Sequence, residues 1–152
     1  MRPSDTACTM TQIVLPTHTN NHGTAFGGQL AAWIDICGGV SAGRCSKRPC
    51  VTASIDQLHF VAPVRRGMVV ELRSQVNQTW RSSMEVGVRV EAEDPATGTR
   101  SHCCTAYLTF VAIDDAGKPC AIPSLDLGDP EDARRAADAA VRRKVRLAAR
   151  KR

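Results

Sequence analysis

Aromatic side chains are scarce in this chain: two Trp, one Tyr and three Phe make up 4% of its residues. A surface that binds single-stranded nucleic acid needs aromatic rings set among its cations, so the basic residues here do not point to nucleic acid. No stretch approaches the ~18 uninterrupted apolar residues of a membrane span. The opening MRPSDTACT has no apolar run of the kind a secretory leader carries, so the expectation is a cytoplasmic protein without a membrane partner. The seven cysteines contain no Cys-x-x-Cys pair, and Cys103 and Cys104 are adjacent. That spacing suits neither zinc nor a disulfide framework, so the thiols read as reduced space-fillers and no metal is expected. There is no internal repeat.

What is present fits one domain. A chain of 152 residues, 43% hydrophobic, can bury a sizeable core. The net charge of +5 arises near the end, where Arg134, Arg135, Arg142, Arg143, Lys144, Arg146, Arg150, Lys151 and Arg152 cluster. Residues 1–125 are expected to form the domain and 126–152 a basic C-terminal helix or tail, with Asp129 as N-cap and Pro130 at the first helical position. Its Ala/Val stripe is thin, which predicts a solvated appendage.

Alternation places the strands. A first strand runs from Thr9 to Leu15 and stops at Pro16. Val51 to Val61 read as a second strand whose apolar phase switches, which suggests a bulge or burial on both faces. Val70 to Val76, Met84 to Ala92 and His102 to Ile113 alternate with polar partners as half-buried strands do. Before the second strand, a polar loop ending in Gly27 and Gly28 enters a helix to about Cys45. That helix is apolar all round, the signature of one wrapped by other elements. One strand, one long helix and four strands predict an α+β fold with the helix on one antiparallel sheet.

One acid, Asp35, stands in this helix. Burying a lone carboxylate is costly, so it is either satisfied structurally or at work facing a wet pocket. The free N–H groups at the helix start, beside Gly27 and Gly28, suit a developing oxyanion or an anion. Gly28 and Asp35 share a helix face but lie ~10.5 Å apart along the axis, a gap that the lean of the side chain narrows and a water would bridge. Asn20, Asn21 and His22 read by default as turn residues bonded to their own backbone. His59 reads as a half-buried strand histidine. A Cys/His nucleophile at His102 to Cys104 is disfavoured, because neighbours on a strand face opposite ways.

The segments LPTHTNNHGTAFGGQLAAWIDICGG, VTASIDQLHFVAPVRRGMVVEL, RSSMEV and TAYLTFVAIDDAGKP resemble the hotdog-fold acyl-CoA thioesterases, in the branch of the YciA-type and brain acyl-CoA hydrolases. The resemblance covers about residues 10 to 123. It implies a curved five-stranded antiparallel sheet wrapped around one long central helix. It also implies an acyl-CoA hydrolase of fatty acid metabolism that releases free acid and CoA, with no cofactor besides the CoA of its substrate. Carried over by position, Asp35 is the catalytic carboxylate, Asn20 orients water or substrate from the other protomer, and Gly28 offers its N–H to the thioester oxygen. Gly27, Thr24, Arg81, Ser82 and Ser83 are then contacts to substrate and CoA; Trp80 stands where the family usually has Gly. Arg65, Arg66 or the tail are candidates for the CoA phosphates. The implied assembly is a dimer joined sheet to sheet, further built into a hexamer as a trimer of dimers. The alternatives are a hotdog module that binds acyl-CoA without cleaving it, and a hydratase, for which His22 is the one loop candidate.

Overall fold

The computed structural model describes residues 1–150; Lys151 and Arg152, two cations of the basic tail, lie outside the described residues. Five strands and two long helices follow in the order β1 (Cys8–Ile13), α1 (Gly27–Ser46), β2 (Cys50–Ile55), β3 (Val69–Thr79), β4 (Ser83–Glu93), β5 (Arg100–Ala112) and α2 (Pro130–Arg150). The strands form one antiparallel sheet in the order β1-β3-β4-β5-β2. β1 and β2 are therefore its edges. This is the expected α+β architecture, with α1 across the sheet.

Alternation along β3, β4 and β5 produces the sheet's apolar face. Val70, Leu72, Val76, Met84, Val86, Val88, Val90, Cys104, Ala106, Leu108 and Phe110 pack against Leu30, Trp33, Ile34, Cys37, Ala42 and Cys45 of α1. Each large side chain so buried contributes about 1.5–3 kcal/mol. Ladder irregularities fall between Thr52 and Ser54, between Val76 and Gln78, and between Val90 and Glu91. Such bulges add local twist and help the sheet curl around the helix.

Four expectations need correction. The second strand ends at Ile55 and not at Val61: its bulge is present, but residues 56–61 leave the sheet, and His59 is exposed. Cys103 and Cys104 do not face opposite ways, because Cys103 is the extra residue of the β4–β5 irregularity and both side chains are buried. Helix α1 is covered along one side only, and Ile36 and Val40 stay exposed on the other. Finally, α2 is no solvated appendage. Asp129 caps it, its Oδ1 accepting from Glu131 N–H at 2.8 Å, and Ala136 and Ala139 are buried. It lies on the outer face of the sheet, where Arg142 and Arg146 bond the fully buried Glu85 of β4. No helix among the described residues is long and apolar enough to cross a membrane.

Candidate functional site

Asp35 sits midway along α1, next to the buried Trp33 and Ile34 but itself only half-buried. Its Oδ1 accepts a 2.6 Å hydrogen bond from the Thr52 hydroxyl. Thr52 lies on edge strand β2 beside the bulge, paired with Phe110 of β5. Among the described residues Asp35 has this one side-chain partner, which leaves its other oxygen without one. Sequence reading missed Thr52. A threonine on an edge strand is ordinary strand composition, and only the packing of β2 against α1 brings it to the carboxylate.

At the start of α1 the N-cap, Phe26, has no side chain that caps, so the first N–H groups of the helix have no acceptor inside it. Gly27 and Gly28 are exposed, and bare backbone there is a consequence of neighbours. A Cβ on Gly27 would lie 3.3 Å from the Phe60 ring, and one on Gly28 the same distance from Phe26. Below this turn is a cavity of about 260 Å³ lined by Thr24, Ala25, Gly27, Leu30 and, from the segment after β2, Phe60, Ala62, Pro63 and Val64. It is largely apolar. Phe60 is thus placed by the early end of β2 that the alternation concealed.

Asn20 and Thr24 act first on their own loop. Asn20 Oδ1 accepts from the N–H of His22 at 2.9 Å and of Thr24 at 3.3 Å, and its Nδ2 donates to Thr24 Oγ1 at 2.9 Å. The default turn reading therefore holds for Asn20 within the chain, and no hydrogen bond joins it to Asp35. The loop is stitched to the segment beyond the cavity by Ala25 N–H to Val64 O at 2.7 Å and Arg66 N–H to Gly23 O at 3.0 Å.

Arg81, Ser82 and Ser83 lie at the β3–β4 turn. Ser83 pairs with Val111, which on its other side pairs with Val51, the neighbour of Thr52. Two strand spacings, ~10 Å, therefore separate this turn from the Asp35 row. Backbone bonds fix it: Ala112 N–H to Ser82 O and Ile122 N–H to Arg81 O, both 3.0 Å. The Arg143 guanidinium lies 4.6 Å from the ring centroid of Trp80.

A larger cavity, about 540 Å³, opens on the other face of the sheet beneath α2 and is lined by Arg73, Arg89, Arg134, Arg135 and Arg142. Each of these guanidiniums already faces a carboxylate: Glu71, Glu91, Glu131 twice and Glu85. Its charge is spent internally, and Asp35 is not among its walls.

Comparison with known proteins locates this arrangement. The family model described as Thioesterase superfamily matches residues 22–99, from the Asn20 loop through the turn after β4. An uncharacterized acyl-CoA thioester hydrolase of Bacillus subtilis, YkhA, is 45% identical over 113 residues, covering 74% of this chain and 66% of its own length. Acyl-coenzyme A thioesterase 11 of mouse is 40% identical over 91% of this chain but only 23% of itself. The chain thus spans about two thirds of the bacterial relative and about a quarter of the mouse one. Among solved structures, an apo-hexameric acyl-CoA thioesterase superposes with a TM-score of 0.92 at 35% identity, covering 97% of this chain and 94% of its own. An acyl-CoA hydrolase from Staphylococcus aureus, solved with butyryl-CoA and CoA, reaches 0.91 at 33% identity, covering 99% and 92%. With half the chain matched by the family model and the fold shared over 97% of it, the chain belongs to the Thioesterase superfamily.

Proposed function

We propose that this protein hydrolyses acyl-CoA thioesters to free acid and CoA, with Asp35 as the group that activates water. The observation that carries the reading is the half-buried carboxylate on α1, oriented through one oxygen by Thr52 and open at the other. A thioester has weak resonance, so polarising its carbonyl and deprotonating water are sufficient chemistry. Water adds to the carbonyl carbon while Asp35 takes its proton. A free N–H at the start of α1, that of Gly28, holds the oxyanion. On collapse the C–S bond breaks and the proton passes to the CoA thiolate, leaving acid and thiol.

Two comparisons support this. The S. aureus relative was solved with butyryl-CoA and with CoA bound. Alanine variants of that relative replace one Asn, one Asp and one Thr, at the same mutual spacing as Asn20, Asp35 and Thr52 here. The cavity beside Gly27 suits the acyl chain, with Thr24 and Gly27 on its wall, and Arg81, Ser82 and Ser83 are the reading for the CoA end.

The site is completed by self-association. Asn20 faces its own turn and not Asp35, which fits a site shared between Asp35 of one copy and Asn20 of another. Val51 and Ile55 on edge strand β2 and Ile36 and Val40 on the bare side of α1 are exposed apolar side chains on neighbouring elements, at 40% exposure or more. They favour a dimer along β2, which a trimer of dimers would build into a hexamer, the state of one structural neighbour. Seven unpaired thiols suit a reducing, cytoplasmic setting.

Thiol release from acyl-CoAs of increasing acyl length tests the function. The parent should turn over and Asp35→Asn should keep its fold and CoA binding while losing roughly a hundred- to ten-thousandfold in kcat. Binding without thiol release by the parent would leave a non-catalytic acyl-CoA module.

A further inference from the structure

Glu85 is the one fully buried carboxylate among the described residues, and the structure is built around it. Arg142 donates to it through Nε, at 3.2 and 3.1 Å, and through Nη2 at 2.7 Å; Arg146 Nη1 donates at 3.0 Å and Asn77 Nδ2 at 3.2 Å. Asn77 has room because residue 87 is glycine, where a Cβ would come within 2.8 Å of its amide. So many donors on one carboxylate hold α2 in a single register on the sheet.

Arg146 does a second thing. Its Nη1 also donates to Asp56 Oδ2, at 2.7 Å, and both side chains are mostly buried. Asp56 is the first residue after β2, and its N–H bonds Tyr107 O at 2.9 Å; the Tyr107 ring in turn lies 3.6 Å beneath the Arg142 guanidinium. From this anchor the chain runs to Val61, whose N–H bonds Cys103 O at 2.9 Å. Between the two anchors, residues 57–60 make no backbone hydrogen bond to any described residue. Phe60, the ring against Gly27 on the cavity wall, belongs to this span. Its position is set by where the anchors hold the ends.

We propose that Asp56 and Arg146 are positioning residues for acyl selectivity, their ion pair clamping one end of the segment that sets Phe60 over the cavity at the start of α1. The inference rests on the thioesterase reading for its substrate and on the ion pair for its mechanism. It gives the outer helix a part in the reaction without any contact to substrate.

Asp56→Asn is the informative variant, because it removes the charge that tightens the clamp and leaves Glu85 with all its donors. In the full chain it should raise the KM of acyl-CoA about fivefold and flatten discrimination between short and long acyl chains, with kcat within about twofold. Inhibition by free CoA should stay unchanged. Arg146→Gln should do the same, Arg146→Lys should restore most of the parent's KM, and Asp56→Asn with Arg146→Gln together should be no worse than the more affected single variant. Hydrogen exchange should rise at the anchoring amides of residues 56 and 61 in Asp56→Asn and not in α1. Acyl-length profiles within twofold of the parent for Asp56→Asn would overturn the proposal, as would a lowered Tm with unchanged KM. A parent that releases no thiol would sink the thioesterase reading; exchange at the anchoring amides of residues 56 and 61 would still decide the clamp.

Discussion

Thr52 has no chemistry of its own to offer, yet its hydroxyl is the single hydrogen-bond partner of the Asp35 carboxylate among the described residues. Replacing it with valine keeps shape and branching while removing the donor, so the carboxylate is free to rotate away from the attacking geometry. The expected result for Thr52→Val is a fall in kcat between about tenfold and a hundredfold at nearly unchanged Tm, read by steady-state thiol release. A second residue-scale expectation concerns pH. Burial pushes the Cys37 thiol up from an ordinary 9.0 to about 11, with Ser74 as its hydrogen-bond partner at 3.3 Å. The native state thus holds this proton more tightly than the unfolded chain does. The stability involved is intact below 9.0 and drains away as pH climbs from 9.0 towards 11. Urea unfolding at about pH 8 and about pH 10.5 should show the parent losing on the order of 1–2 kcal/mol more than Cys37→Ser, which does not titrate there.

At the scale of elements, α2 inverts the usual pattern. It lays Arg142 and Arg146 against the sheet and leaves Val141 and Val145 63% and 66% exposed. Deleting residues 130–152 should therefore strand Glu85 without its cations. We expect a loss of about 3 kcal/mol or more, a Tm drop of roughly 6–12 °C. Glu85→Met in the shortened chain should recover part of it, which thermal melts of the two truncations would measure. The same inversion explains what the amino-acid sequence conceals. Strands β3, β4 and β5 are legible because Val70, Val88 and Leu108 each mark one face with period two, and α1 and Asp35 because an acid inside an apolar run stands out. Glu85 looks like any outward strand residue, and an arginine-rich helix looks like a solvated one, so nothing local says that they meet. Leu58, Phe60 and Val61 continue the apolar character of β2 beyond its end, because they serve a cavity wall and not a ladder. Arg81, Ser82 and Ser83 come only from the family resemblance, because their spacing does not join them to Asp35, whereas Gly28 shares a helix face with it.

For the molecule as a whole, the proposed shared site makes assembly through the exposed apolar set on β2 and α1 a testable condition for activity. Ile36→Glu should break the interface, giving a smaller species in sedimentation with turnover reduced in parallel; a monomer with full activity would show that each chain carries a complete site. Mixing inactive Asn20→Ala with inactive Asp35→Asn chains should return activity in a minority of sites once subunits exchange. The inverted helix α2 also bears on how the protein would tolerate change. In an exhaustive substitution scan, intuition ranks Val141 and Val145 as core and Arg142 and Arg146 as expendable surface. The contacts rank them the other way: charged replacements at the two valines should be accepted and should improve solubility of the isolated chain, while apolar or acidic replacements at the two arginines should destabilise the fold. A homologue search or a redesign that scores this helix by hydropathy would therefore discard the positions that hold it and keep those that do not.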